Sequence, residues 1–455
     1  MLNPYIFREY DIRGKVADDF HPEVVVLLGR AFGTFVKRSG GQEIALSGDI
    51  RLTTPDLMDA FREGVLSTGV DVINLRIIPT PVNYYSMYRL GVSGAVQVTG
   101  SHNPPEFNGF KLSLHKKPVY GSQIQSLKEM IDHEDFETGE GTETRHKILP
   151  GYNQMILDKI NIERSMRVVM DCGNAAAAIN APQLFRKLGV ELTELYCEID
   201  GTFPNHHPDP TVKKNLADLI STMQSGNHDV GIAFDGDADR IGVVDETGGI
   251  IWADQILTLF LPEVLNPGDE VIYDVKCSQA LDDMIKKYGG KPVMWKTGHS
   301  LIKQKMADLG CKLGGEMSGH IFFADDYFGY DDAIYVAARL VQLLSRSEKT
   351  LSELKAEIPV YYSTPEMRLD VASDEEKFRL TEMAVNYFKA NYDCITVDGI
   401  RIQFGDGWGL VRSSNTQPVI VCRFEADSPE RMEEIKSIVL GKLQEFGKLE
   451  IGDRL

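Results

Sequence analysis

Short apolar runs alternate with amphipathic stretches along most of this chain, at the spacings that separate strands from helices. In the first stretch the pattern predicts a strand over Glu43–Gly48, a helix over Pro55–Ser67, and strands over Val70–Ile78 and Gly94–Thr99. A second unit begins near Arg167, with strand Arg167–Asp171, helix Ala181–Leu188, strand Val190–Tyr196, helix Lys214–Met223 and strand Val230–Phe234 predicted. A third repeats the alternation: strand Glu270–Val275, helix Ala280–Tyr288, strand Pro292–Lys296, helix Ser300–Leu309. After Tyr361 the order changes. A strand (Met367–Val371) and a helix (Asp374–Lys389) precede three strand candidates, Gly399–Phe404, Gly409–Ser413 and Pro418–Glu425, and a long helix over Ser428–Phe446. Strand–helix alternation implies parallel sheets joined by crossovers, while consecutive strands joined by turns such as Gly405-Asp406-Gly407 imply an antiparallel sheet. The fold class expected is α/β, three similar mixed α/β domains and a smaller C-terminal α+β domain. Charged or polar stretches at Asp132–Lys147, Asp245–Gly249 and Glu353–Pro359 suggest domains 1–147, 148–248, 249–361 and 362–455.

Composition narrows the function. The 455 residues are 43% hydrophobic and 25% charged, enough apolar material for several cores. Lys and Arg number 48 against 67 Asp and Glu, a balance of -19, which argues against a nucleic-acid partner. No apolar run approaches the ~20 residues that span a bilayer, and Leu257–Leu261 is soon interrupted by Pro262. No membrane partner is therefore expected. The N-terminal segment is charged by Arg8 and has no apolar signal region, so a cytoplasmic protein is expected. Six widely spread cysteines, without a C-x-x-C pair, argue against a disulfide framework or a zinc cluster; Cys172 and Cys277 read as small buried hydrophobes.

Four loops carry candidate chemistry. Asp235-Gly236-Asp237-Ala238-Asp239-Arg240 follows an apolar strand, and three alternate carboxylates can converge on a hard cation, Mg²⁺ or Ca²⁺. An EF-hand is excluded, because Arg240 stands where that loop needs glycine and the flanks read as strands. A plain acidic turn would leave three carboxylates repelling one another. Thr99-Gly100-Ser101-His102-Asn103-Pro104, with Asn108-Gly109-Phe110-Lys111 beyond, sets a hydroxyl at a strand end, although such a segment taken alone is most often a polar turn. Gly314-Gly315-Glu316-Met317-Ser318-Gly319-His320 offers hydrogen-bonding groups suited to a polyhydroxylated ligand, against the alternative of a glycine-rich connection. Arg412-Ser413-Ser414-Asn415-Thr416-Gln417-Pro418 could cradle a phosphate or merely close a hairpin.

These loops, in this order, together with Tyr10-Asp11-Ile12-Arg13-Gly14 and Asp200-Gly201-Thr202-Phe203-Pro204-Asn205, resemble the α-D-phosphohexomutase superfamily, and within it the bacterial phosphomannomutase/phosphoglucomutase enzymes. The resemblance covers essentially the whole chain. It implies four domains around a central active-site cleft, a phosphorylated Ser101, and Mg²⁺ held by Ser101, Asp235, Asp237 and Asp239. It further implies that Arg240, Lys276, His299, Glu316 and Ser318 face a phosphosugar, that Arg412, Ser414, Asn415 and Thr416 grip its non-reacting phosphate, and that Tyr10 and Arg13 lie near the reacting centre. Ala238, Ser413 and Gln417 depart from the usual family pattern, and no Arg precedes Asp49, but no proposed ligand is lost.

The activity so implied interconverts hexose 1- and 6-phosphates of mannose and/or glucose through phosphoserine and a hexose 1,6-bisphosphate, which also serves as activator. Lys111, His320 and Arg13 are the candidates for moving the hydroxyl proton. A phosphoglucosamine mutase is disfavoured by Met317, where such enzymes typically carry Gln. A non-catalytic phosphosugar-binding protein is disfavoured by the intact Ser101, Lys111 and aspartates, and a metal-dependent phosphatase by the expected exclusion of water.

Overall fold

The computed structural model describes residues 2–414 and 419–451. They form two compact units, one built from the residues up to Ile256 with Ser318–Lys355, the other from Leu257–Met317 with the described residues from Ala356 onward.

The first unit contains two sheets. In one, Gly94–Val98, Glu43–Gly48, Asp71–Ile77 and Glu143–Arg145 run parallel in that order, and Phe107–Leu114 and then Ile12–Lys15 add antiparallel on the other edge. The parallel strands Gly94–Val98 and Glu43–Gly48 are almost wholly buried, as strands covered on both faces must be. Helices Pro22–Arg38 and Thr54–Leu66, each entered through a proline in its first turn, supply Phe32, Val36, Phe61 and Val65 to the core beneath. Arg13 pairs with Gly109 in register, two residues from Lys111. In the second sheet Ile250–Ile251, Ile241–Asp245 and Val230–Phe234 are antiparallel, while Arg167–Asp171 and Glu191–Leu195 extend it in parallel.

The second unit carries parallel strands Lys291–Trp295, Glu270–Asp274 and Leu313–Gly315, and the C-terminal antiparallel sheet. That sheet runs Asp393–Ile395, Ile400–Gln403, Gly407–Ser413, Val419–Ala426, Met367–Asp370, Glu450–Ile451, with helices Asp374–Asn391 and Pro429–Phe446 over its core. Ser373 and Ser428 cap these helices, accepting from the N–H groups of Glu376 and Arg431.

One sequence expectation is corrected. The helix predicted over Lys214–Met223 is a 3₁₀ turn, Lys213–Leu216, followed by an α-helix over Ala217–Ser225. Asn215 donates to the Asp209 carbonyl at 2.9 Å and ties this start to the preceding turn. Helix Ala253–Val264 runs through Pro262, because only the last turn remains beyond the missing N–H. Within the polar stretch 132–147, Glu143–Arg145 pairs with Asp71–Ile77 as an edge strand. Exposed edge strands need no apolar pattern, which is why this one escapes a periodicity reading.

Candidate functional site

In the first unit, strand Gly94–Val98 delivers Thr99-Gly100-Ser101 to the carboxyl edge of its sheet. Ser101 itself is left-handed, with φ of 50°, and only 1% exposed. Two buried charges hold it there. Asp49 accepts from the Thr99 hydroxyl at 2.7 Å and from the Gly100 N–H at 3.2 Å. Arg51 donates to the carbonyls of Ser101 (2.8 Å), Asn103 (2.6 Å), Pro104 (2.7 Å) and Phe107 (3.0 Å). Arg51 approaches so closely that a Cβ on Gly100 would lie 2.5 Å from its guanidinium carbon.

The antiparallel pair Val230–Phe234 and Ile241–Asp245 folds the aspartate loop against this serine: a Cβ on Gly236 would lie 2.1 Å from the Ser101 carbonyl oxygen. Asp235, Asp237 and Asp239 are all fully buried. Asp235 Oδ1 accepts from the N–H groups of Asp239 and Arg240, both at 3.1 Å, and its Oδ2 accepts from Ser101 Oγ at 3.2 Å. Asp237 Oδ2 accepts from Thr80 Oγ1 at 2.5 Å and Lys111 Nζ at 2.7 Å, and Asp239 Oδ2 accepts from the same ammonium at 2.5 Å.

Burial and the neighbouring Asp237 and Asp239 push the Asp235 carboxyl well above the usual range. Burial works the same way on Asp237, but the Lys111 ammonium outweighs it and holds that carboxyl at about 2. Lys111 in turn is kept charged: burial opposes its charge, and Asp237 and Asp239 more than offset that. Asp237 Oδ1 and Asp239 Oδ1 are buried with no hydrogen-bond partner among the described residues. Three converging carboxylates, two of them with an unsatisfied oxygen, fit a hard divalent cation of the Mg²⁺ type.

Arg240 Nε donates to His320 Nε2 at 2.9 Å, and the other ring nitrogen, Nδ1, lies 2.9 Å from Asp331 Oδ2 and 3.6 Å from Asp239 Oδ1. Arg13 pairs with Asp11 at 2.5 Å and donates to Asn103 Oδ1 at 3.2 Å, against the serine loop. Burial, then Arg240, depresses His102 well below the usual imidazole range, although its Nδ1 lies 3.1 Å from Ser101 Oγ. Tyr10 and Ser318 are half-buried in the same unit.

The second unit gathers the other candidates. Lys276 is 3.2 Å from Glu366 and 3.7 Å from Asp274. Buried Glu316 accepts the Gly298 N–H at 2.6 Å, next to His299 at the start of helix His299–Leu309. Arg412 Nε donates to Asp398 Oδ2 at 2.9 Å, and that oxygen also accepts the Thr297 N–H at 3.1 Å. Ser414 is buried, and its carbonyl accepts from Lys377 Nζ at 2.8 Å. The Ser413 hydroxyl donates to Thr381 Oγ1. Asn415 and Thr416 lie outside the described residues.

Sequence reasoning missed the residues that hold these groups: Asp49, Arg51, Thr80 and Asp331 in the first unit, Asp398, Glu366 and Lys377 in the second. For Asp49 and Arg51 the available signal was a charged pair at a predicted strand end. For Lys377 there was none, since a lysine in a helix reads as solvent-facing.

The chain matches four models of one family: phosphoglucomutase/phosphomannomutase alpha/beta/alpha domain I over residues 4–138, domain II over 150–249, domain III over 252–362 and the C-terminal domain over 366–442. It is 45% identical over 442 residues to a phosphomannomutase/phosphoglucomutase of Pseudomonas aeruginosa, covering 96% of this chain and 95% of that one. A phosphoglucomutase of Neisseria meningitidis is 42% identical over 438 residues, 95% of each. The crystal structure of a phosphoglucomutase/phosphomannomutase family protein from Burkholderia thailandensis superposes with a TM-score of 0.93 at 41% identity, over 99% of this chain and 100% of that one.

Proposed function

The chain belongs to the phosphoglucomutase/phosphomannomutase family, and on that premise we propose that it interconverts the 1- and 6-phosphates of glucose and/or mannose through phosphoserine at Ser101 and a hexose 1,6-bisphosphate. The observation that carries this reading is Ser101 Oγ at 3.2 Å from Asp235, beside two further buried aspartates bridged by Lys111. The domain limits proposed remain 1–147, 148–248, 249–361 and 362–455.

Ser101 gives its phosphoryl group to the free hydroxyl of the sugar phosphate, and the bisphosphate so formed returns its other phosphoryl group after turning end for end. Mg²⁺, held by Asp235, Asp237 and Asp239 beside Ser101, would neutralise charge on the phosphoryl oxygens. Phosphoryl transfer depends mostly on positioning and electrostatics, and here Asp49 and Arg51 hold the serine loop in its left-handed turn. Arg13 and Arg240 add positive charge near the reacting phosphate, and Lys111 is the nearest cation to the aspartates. Lys111, His320 and Arg13 are the groups proposed to move the hydroxyl proton. Tyr10 would line the reacting end. Lys276, His299, Glu316 and Ser318 would bind the sugar, and Arg412, Ser414, Asn415 and Thr416 the phosphate that is not reacting. Buried Glu316, held by the Gly298 N–H at 2.6 Å, supports this reading as a fixed acceptor.

The test is direct. Purified protein, given glucose or mannose 1-phosphate with Mg²⁺ and a trace of the bisphosphate, should form the 6-phosphate. Peptide mapping should find a phosphoryl group on Ser101, and Ser101→Ala should abolish turnover. Near-normal turnover in that variant would end the proposal.

A further inference from the structure

Two cysteines that the mechanism does not use lie side by side in the first unit. Parallel strands Arg167–Asp171 and Glu191–Leu195 end level, Asp171 opposite Leu195. Cys172 follows the first strand. Cys197 stands two residues beyond the second, after Tyr196, whose left-handed φ of 52° turns the chain. Backbone bonds fix the turn: the Cys172 N–H donates to the Leu195 carbonyl at 3.1 Å and the Asn174 N–H to the Tyr196 carbonyl at 2.8 Å. The two sulfurs are 3.3 Å apart. Cys172 is fully buried and Cys197 half-buried, so a small oxidant reaches one thiol before the other.

From this juxtaposition we infer that Cys172 and Cys197 are an oxidisable pair, closed to a disulfide by a peroxide, and that closure slows turnover through the aspartate loop. The last clause rests on the function proposed above. The sulfurs already stand 3.3 Å apart, so closing the bond draws them together by little more than about 1 Å. The Cys197 thiol donates toward the Cys172 sulfur at 3.3 Å, and burial pushes the Cys172 thiol up. Cys197, the more exposed, is the thiol an oxidant meets first, and fully buried Cys172 is the resolving thiol.

Cys197 sulfur attacks one peroxide oxygen, the O–O bond breaks, and the sulfenic acid forms as the other oxygen leaves as alcohol or water. Cys172 sulfur then attacks the sulfenic sulfur, the S–O bond breaks, and the hydroxyl leaves with the thiol proton as water. Two thiols lose two electrons, and the peroxide gains them.

The pair is wired to the site through backbone. The Cys172 carbonyl accepts from the Ala175 N–H at 2.9 Å, and the next N–H, of Ala176, donates to the Gly236 carbonyl at 3.2 Å, inside the aspartate loop. Beyond Cys197, the Glu198 carbonyl accepts from the Asn174 amide, Asn205 donates to the Asn174 side-chain oxygen, and His206 meets Asp171 at 2.9 Å. His207 of the same segment meets the His102 carbonyl, one residue from Ser101. Drawing the sulfurs from 3.3 Å to bonding distance pulls on both connections.

The experiment treats the full-length protein with hydrogen peroxide, blocks remaining thiols, and maps peptides without reduction. A peptide linking Cys172 to Cys197, removed by dithiothreitol, is expected, with a several-fold, dithiothreitol-reversible loss of turnover. Cys197→Ser, and Cys197→Ala as a second variant, should keep basal activity and lose that reversible sensitivity. Failure to find the linked peptide overturns the pair, whether or not the protein is a mutase, because mapping needs no activity. A linked peptide with unchanged turnover, or equal reversible loss in the variants, overturns the coupling.

Discussion

Asp237 shows at the scale of one residue how charge is balanced in this site. It shares Lys111 with Asp239, and its second oxygen is buried with no hydrogen-bond partner among the described residues. Asp237→Asn keeps the shape and removes one ligand charge, so the Mg²⁺ requirement should move to higher concentration and turnover should fall steeply while the fold survives. Superimposable metal titrations of variant and parent would remove Asp237 from the ligand set. Gly100 tests the other support of the serine. An added Cβ there would stand only 2.5 Å from the Arg51 guanidinium carbon, so Gly100→Ala has to displace a group that serves four carbonyls. A loss of roughly 1–3 kcal/mol of stability, read by denaturant unfolding, is expected together with lower turnover.

At the scale of elements, the second unit joins strand ends and loops by charge. Lys276, just past strand Glu270–Asp274, meets Glu366, just before strand Met367–Asp370. The Lys276 ammonium holds the Glu366 carboxyl at about 2, against an ordinary value of 4.5. A carboxyl depressed by folding contributes stability that is present above its unfolded value and is lost as pH falls through its folded value. The pair should therefore stabilise the protein at neutral pH and weaken between about pH 4.5 and 2. Glu366→Gln should cost roughly 1–3 kcal/mol at pH 7 and flatten the acid limb of a plot of melting temperature against pH. Parallel acid limbs for variant and parent would show that the pair contributes nothing to it.

For the whole molecule the question is whether two units serve one substrate. Ser101 and Arg412 belong to different units. If Arg412 grips the phosphate that is not reacting, its loss removes a charge-assisted bond of about 1.5–3 kcal/mol, and kcat/KM for the hexose phosphate should drop on the order of 10- to 100-fold. Arg412→Ala should also release bisphosphate into solution and need more of it to stay active. Ser101 should still accept phosphate from added bisphosphate, because its aspartates are untouched. An unchanged KM would leave the Arg412 loop as a hairpin connection only.

Local pattern by itself determined a good deal here. The buried parallel strands announced themselves because both faces are covered, so their sequences are nearly continuous apolar runs. The aspartate loop was legible because three carboxylates at alternate positions directly after such a strand have little structural use without a counter-charge. What the tertiary structure decided is which counter-charges and supports arrive. Lys111 reaches the aspartates from more than a hundred residues away, and Asp331 reaches His320 across a turn. Arg51 clamps a loop about fifty residues on, and Lys377 holds the Ser414 carbonyl from within a helix. Cys172 and Cys197, widely spaced in sequence, meet because their strands are parallel neighbours. Periodicity records which face of an element is buried, since burial acts on each side chain separately. The partners of a buried charge or thiol depend on sheet order and register, and those are set only when distant segments pack.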